Sequence, residues 1–501
     1  MQLNINILNE KLPGYQLPGY DVAKLRANTI AKPRWVHFGA GNIFRAMIAA
    51  GTDKAIESGA MDTGIIACAM KNEVEGCYKP HDDLCINVAL GGDGSIEKQI
   101  IGCIAQALVS GEDDARLTEI FTDKDLQMVS FTITEKGYDP NGFLMGKIAE
   151  YMHARYQANA QPIALLSLDN CASNGAVLKR GVLSAAEKLS DQGFIDYLNS
   201  KVSFPWSMID KITPRPDPIV QKMLEDDGFT DMAIQITPYG AHMAAFVNAE
   251  KVGYLAVQDE FPNGRPDLAA CGFLMTDIET VEKCERMKVY TCLNPLHTAL
   301  AVFGCLLGYE RICEEMKDED LTALINKLGW DEGMKVVTDP GILSPKQFLT
   351  DCIEQRFPNP FVPDTPQRIA TDTSQKLGIR FGQTLKAYME SDELDAKSLV
   401  AVPLVFAGWL RYLTGISDRG WAFERSPDPM LSSLQPVADH LLDKAADFDE
   451  AVLAPVLKNE NIFGVDLYRA GIADKVISYL REMLKGTGAI RSTLHREVTA
   501  S

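Results

Sequence analysis

The stretch RWVHFGAGNIFRAMIAAGTDKAIES (residues 34–58) decides how the chain is read. An uninterrupted apolar run ends in Gly39-Ala40-Gly41 and passes straight into a segment of helical character. A strand that is apolar at every position is covered on both faces, as in a parallel sheet flanked by helices. Glycines at its carboxyl end let the backbone approach a pyrophosphate, and the following helix offers N–H groups and a partial positive charge. The segment therefore predicts the first strand–turn–helix of a dinucleotide-binding unit, with Gly39, Gly41, Asn42 and Ile43 against the cofactor. Phe44 stands where the usual pattern has a third glycine. Tight strand–helix packing without a ligand fits the same residues.

Outward from this unit, TGIIACAM (63–70) reads as the second strand. It ends in Lys71 and Glu73. A carboxylate there binds the adenosine ribose of NAD, whereas a cation accepts the 2′-phosphate of NADP. Glu73 is the preferred reading, so NAD is the expected cofactor, with NADP left open. Further strands are expected at 83–90, 126–134 and 162–170, the last followed by the helical GAVLKRGVLSAAEKLS (175–190). Strands alternating with helices imply βαβ units. Residues 83–103 read instead as an antiparallel hairpin turning at GGDGS. Beyond about residue 275 helical periodicity dominates, in 297–316, 318–330, 374–391, 398–415 and 474–486. The expected architecture is an α/β Rossmann-like domain (1–278) followed by an all-α domain (279–501) carrying substrate and catalytic residues.

Composition narrows the partners. Lys and Arg number 49 against 68 Asp and Glu, a formal net charge of −19, which speaks against nucleic acid because counterion release needs a basic face. No run approaches the ~20 apolar residues of a membrane span, and the N-terminus lacks a signal-peptide pattern. Eleven scattered cysteines without a CxxC pair read as thiols of a reduced, cytoplasmic protein. No Cys or His cluster has the spacing of a metal site. Nothing marks an oligomer interface.

The densest polar chemistry lies in Glu285-Arg-Met-Lys288-Val-Tyr-Thr-Cys-Leu-Asn294-Pro-Leu-His297, which continues into an apolar run. Apolar surroundings disfavour an ammonium ion and tune a lysine towards proton transfer near neutrality. An alcohol losing hydride must also lose a proton; an Asn amide stabilises the developing alkoxide, and a His orients the network. On one straight helix Lys288 and His297, about 900° apart, face opposite ways. They converge only if the helix breaks, and Asn294-Pro295 supplies a break. A solvated Lys288 with a core His297 also fits this segment.

Along residues 34–480 the chain resembles the polyol-specific long-chain dehydrogenases, the mannitol dehydrogenase family that includes the fructuronate and tagaturonate reductases. The resemblance is carried, in order, by FGAGNIFRA (38–46), FTITEKGY (131–138), LSLDNCASNG (166–175), FPWSMIDKITP (204–214), EFPNGRP (260–266), MKVYTCLNPLHTAL (287–300), RIATDTSQK (368–376) and WLRYLTG (409–415). It implies Lys288 as general base in oxidation and acid in reduction, with Asn170 and Asn294 holding the oxyanion and His297 orienting Lys288. It further implies that Asp210, Arg368 and Lys376 bind substrate hydroxyls or its acid group, and that Glu285 relays protons. No metal is implied. On one helix Arg368 and Lys376 would lie within about 80° of a common face. The chain departs from the family pattern at one place: five residues, not four, separate Lys288 from Asn294. A π-bulge or the proline break must absorb the extra one.

The resulting expectation is a nicotinamide-dependent oxidoreductase acting on a small sugar acid or polyol. D-fructuronate/D-mannonate ranks first, then mannitol oxidation, tagaturonate reduction or an epimerase using bound NAD. A nucleotide-binding sensor is the non-enzymatic alternative.

Overall fold

The computed structural model describes residues 1–238 and 240–500. The chain forms two compact units, Met1–Glu282 and a second from Lys283 onward.

In the first unit six strands make one sheet: β1 (Trp35–Phe38), β2 (Ile65–Ala69), β3 (Ile104–Val109), β4 (Met128–Phe131), β5 (Ile163–Ser167) and β6 (Val202–Ser203). Their spatial order is β3-β2-β1-β4-β5-β6, and every neighbouring pair is parallel. The order reverses between β1 and β4, which is where an open α/β sheet leaves its ligand crevice. All residues of β1, β2, β4 and β5 are buried, which explains the unbroken apolar runs. Trp35, Ile65, Ala67 and Met128 join the core on one face; Val36, Phe38, Ile66 and Val129 join the core on the other. His37 sits inside β1, fully buried, with Nδ1 2.7 Å from Ser130 Oγ and Nε2 2.9 Å from Thr132 Oγ1. Burial pushes it down to about 3, so it is a neutral clamp between β1 and β4.

The expected hairpin is present as Cys85–Leu90 paired antiparallel with Ile96–Ile101, closed by Gly91 N–H donating to Ser95 O at 2.8 Å. Tyr15–Gln16 and Phe246–Glu250 extend it to four strands, both in parallel pairing. A three-stranded sheet of Ser207–Asp210, Tyr254–Gln258 and Leu274–Thr276 completes the strands that matter for the site.

Helices α1 (Ile278–Met287), α2 (Asn294–Leu307), α3 (Pro366–Ile369), α4 (Thr373–Arg380), α5 (Ala401–Tyr412) and α6 (Ala473–Met483) frame the second unit. Every residue of α2 from Thr298 to Leu306 is buried, as is all of α5. A side chain at Gly408 would come within 2.9 Å of Phe303 Cζ, so glycine permits the close crossing of α2 and α5. By length and composition 278–307 could cross a membrane, yet 72% of its apolar window is buried inside the protein; it is a core element.

Three helical expectations need correction. The segment 297–316 is cut at Gly308, left-handed at φ 83°, and only Ile312–Glu315 resumes as helix. The segment 374–391 is divided at Phe381 into α4 and Gly382–Glu390. Arg368 and Lys376 do not share a helix. Asp372, at φ 55°, separates α3 from α4, and its N–H donates to Pro427 O at 2.8 Å, a tertiary contact that holds the break.

Candidate active site

The two glycines after β1 prove to have different reasons for being there. Gly39 is left-handed (φ 88°), and a Cβ on it would lie 2.0 Å from Thr132 O. Its N–H donates to Cys68 O at 2.9 Å, and its carbonyl accepts from Thr132 Oγ1 at 2.6 Å. The fold itself demands glycine there. A Cβ on Gly41 would meet nothing nearer than Glu73 Oε1 at 3.9 Å. Protein packing gives no reason for that glycine, whereas a phosphate group approaching the backbone does. The helix opens at Asn42 and Ile43, whose N–H groups precede any intrahelical acceptor. The Asn42 side chain is already used, donating to Pro214 O at 2.9 Å and accepting from Arg45 Nη2 at 3.2 Å. Phe44 begins a π-helical stretch (Phe44–Ala49) and stacks on His37 with ring centroids 4.3 Å apart.

Glu73 closes the short helix Lys71–Glu73 that follows β2. Lys71 instead points to Glu112 at 3.0 Å and Glu75 at 3.8 Å. Of the two candidates for the adenosine ribose, the carboxylate stands beside the glycine turn, and the cation is engaged by acids elsewhere.

Asn170 is exposed just past β5, preceded by a brace. Asp169 accepts from Ile133 N at 2.8 Å, Thr134 N at 3.0 Å and Tyr138 Oη at 2.5 Å. Burial raises its pKa against the pull of these donors. Asp210 is the last residue of strand Ser207–Asp210 and is 8% exposed, a buried strand end rather than a turn carboxylate. Asn174, which the sequence reading passed over, ties these neighbourhoods together. Its amide donates to Asp169 O at 3.0 Å and Ser207 Oγ at 2.9 Å, and its oxygen accepts from Ser207 N at 3.0 Å.

In the second unit the extra residue before Asn294 is accommodated by both expected devices. Lys288–Cys292 is a π-helical turn, closed by Leu293 N–H donating to Lys288 O at 3.1 Å. Leu293 then leaves helical geometry (φ −120°, ψ −63°), and α2 starts with Asn294-Pro295. Lys288 is 3% exposed, which overturns the solvated alternative, and its Nζ lies 3.0 Å from Glu285 Oε2. Thr291, inside the π-turn, packs so closely on Gly333 that a Cβ there would lie 2.9 Å from Thr291 Cγ2.

His297 is not a satisfied core histidine. Its Nε2 is 3.2 Å from Asp364 Oδ2, within ion-pair reach but outside hydrogen-bond alignment, leaving a buried nitrogen without an aligned partner. Burial lowers its pKa, while Asp364 pulls the other way. Asp364 also pairs with Arg368. Burial pushes the Asp364 carboxyl up, but His297 and Arg368 more than offset it, so the carboxyl is held below its ordinary range. Lys376 Nζ donates to the carbonyls of Thr371 and Ile369. Its pKa is lowered by burial and by neighbouring Arg380. Asp364 lies in the proline-rich stretch 356–367 and Arg380 ends α4; the sequence singled out neither. Among the described residues no group of three or more His, Cys, Asp or Glu could hold a metal ion.

Comparison with known proteins identifies the family and the fold. Residues 33–270 match the mannitol dehydrogenase Rossmann domain and residues 280–484 the mannitol dehydrogenase C-terminal domain. The D-mannonate oxidoreductase of Thermotoga maritima is 44% identical over 99% of each chain. In structure, a substrate-free D-sorbitol dehydrogenase superposes with a TM-score of 0.80 at 23% identity, covering 99% of this chain and 100% of that one. The Pseudomonas fluorescens mannitol 2-dehydrogenase, solved as a ternary complex with NAD and D-mannitol, superposes with a TM-score of 0.69 at 24% identity and 99% coverage of each.

Proposed function

The chain belongs to the mannitol dehydrogenase family, and from that premise we propose that it is an NAD-dependent oxidoreductase interconverting a keto-uronate and its aldonate, D-fructuronate and D-mannonate first. The observation that carries the substrate is the full-length likeness to a D-mannonate oxidoreductase.

The residues present fit a dinucleotide. Gly41 leaves its backbone open to phosphate, and Glu73 supplies a carboxylate for the adenosine ribose while Lys71 is held by Glu112; this favours NAD over NADP. The nicotinamide, when bound, supplies the hydride acceptor or donor. The proton is the protein's task. Lys288 takes it from the substrate hydroxyl in oxidation and returns it to the carbonyl oxygen in reduction. Glu285, 3.0 Å away and partly exposed, passes it between Lys288 and water. Asn294 and Asn170 donate hydrogen bonds to the oxygen that gains negative charge. His297, set against Asp364, orients the substrate and Lys288. Asp210 accepts from substrate hydroxyls, while Arg368 and Lys376 hold hydroxyls or the acid group. Ten of the eleven cysteines are buried and none is in a disulfide among the described residues, which suits a reducing compartment such as the cytoplasm.

NADH oxidation measured with D-fructuronate, D-tagaturonate and D-fructose side by side tests the reading. The expected order of kcat/KM places D-fructuronate first; a preference for D-fructose overturns it in favour of polyol oxidation. Sugar interconversion without net NADH change would identify an epimerase instead.

A further inference from the structure

Arg380, the last residue of α4, has a setting unlike the buried arginines that serve the fold. Arg155 donates to the carbonyls of Phe121, Asp123, Leu126, Gln161 and Pro162. Arg411 donates to Thr414 Oγ1 and to the carbonyls of Ile416 and Met483. Among the described residues Arg380 makes one hydrogen bond, from Nη1 to the neutral Thr298 Oγ1, and no carboxylate lies within 4.0 Å of it. A guanidinium has five donors, and burial pulls this one down to about 10. Its charged neighbours make matters worse: Lys376 and His297 both feel it as a repelling charge. Asp364, the nearby acid, is already shared by His297 and Arg368, while Asp372 and Asp428 act on Lys376.

Its position is equally specific. Thr298 Oγ1 in turn donates to Asn294 O at 2.9 Å, so the two share one face of the first turn of α2. The guanidinium therefore meets α2 near its positive end, where a cation is disfavoured and an anion favoured.

We propose that Arg380 is the residue that reads the substrate's carboxylate and so selects a sugar acid over a neutral ketose. This rests on the oxidoreductase reading above. A carboxylate accepting two parallel N–H groups from Arg380 supplies the missing negative charge and uses its planar fork. Arg368 is already neutralised by Asp364, and Lys376 is tied to carbonyls at the mouth of its own helix. Of the three cations, Arg380 is the one with neither a carboxylate nor a carbonyl partner among the described residues.

The test compares wild type with Arg380→Met and Arg380→Lys, using D-fructuronate and D-fructose as substrates and D-gluconate and sorbitol as inhibitors. In Arg380→Met the ratio of kcat/KM for D-fructuronate to that for D-fructose falls by about 100-fold, mainly through KM, and inhibition by D-gluconate weakens in parallel. Arg380→Lys keeps the charge but loses the fork, and the ratio falls by about tenfold; this variant carries the test if the methionine variant does not fold. An unchanged ratio, with both substrates losing together, reduces Arg380 to a prop for Thr298 and overturns the proposal. Should wild type prefer D-fructose, the substrate reading falls, yet selective loss of D-gluconate inhibition in Arg380→Met would still uphold the carboxylate site.

Discussion

The turn at Gly39–Gly41 and the turn at Lys288–Leu293 are built in opposite ways. The first works by removal. Side chains are absent where Thr132 O presses on Gly39 and where Gly41 faces open space. The second works by insertion: one residue more than the family pattern is taken up in a π-turn and a break before Pro295. A missing side chain leaves a local signature because only glycine satisfies the position. An extra residue leaves only a mismatch, and the surrounding helices decide where it is absorbed. Removal thus names its own residue, whereas insertion shows in the sequence only as a surplus before Asn294, for which a π-turn and the proline break were both available and the structure uses both.

Five substitutions break or sharpen this contrast, and the largest effect belongs to the inserted turn. Lys288→Ala lowers kcat by about 10³-fold, the scale of a lost general acid–base, while fluorescence titration still detects NADH binding. Retained turnover would mean that the π-turn presents no catalytic group.

At the other turn the two glycines separate. Gly39→Ala costs about 3 kcal/mol or more, because a left-handed residue must also displace Thr132 O, and this is read as a lowered denaturation midpoint. Gly41→Ala leaves the midpoint unchanged and raises the NADH dissociation constant by about tenfold. Equal loss of stability in both would erase the distinction between a fold glycine and a ligand glycine.

A smaller effect is expected at the support behind the inserted turn. Asp364→Asn removes the carboxylate shared by His297 and Arg368, and kcat/KM falls by about tenfold. The folded state depresses the Asp364 pKa below 3.8, so its contribution to stability is present above that value and disappears as pH falls through the folded one. The melting gap between wild type and variant is therefore largest near neutrality and closes below pH 3.8. A gap independent of pH would mean that the carboxylate charge is irrelevant there.

The smallest effect lies behind α2. Glu315 is 0% exposed with neither carboxylate oxygen hydrogen-bonded, and a Cβ on Gly304 would lie 2.2 Å from its Oε1. Burial raises its pKa well above 4.5. The folded state then holds a proton that the unfolded chain has released, so wild type loses stability as pH rises above 4.5. Glu315→Gln lacks this penalty. It should melt with wild type near pH 4.5 and a few degrees above it by pH 8, with turnover unaffected. Parallel melting curves at all pH values would place a counter-charge near Glu315.

The legible parts share a cause. The apolar runs of β1, β2, β4 and β5 reflect burial on both faces of a sheet, which every residue records. The glycine turn was legible because a left-handed position such as Gly39 admits little else, and the segment around Lys288 stood out as polar residues inside an otherwise apolar run. The break at Asp372 was not, since it is held by Pro427 O from 55 residues away, and the placing of Arg368 and Lys376 on one helix had nothing local to contradict it. Asp364 and Arg380 were missed for the same reason. A carboxylate in a proline-rich connector and a helical arginine acquire meaning only from His297, Arg368 and Thr298 beside them.

By itself the sequence determined the α/β unit followed by a helical one, the glycine turn and the lysine-centred segment, because hydrophobic period and backbone permissiveness are properties of neighbouring residues. Only the tertiary structure decided that Lys288 is buried against Glu285, that the surplus residue becomes a π-turn, and that Arg380 lacks a counter-ion. Burial and charge balance are sums over groups distant in the chain, and no local stretch of sequence contains them.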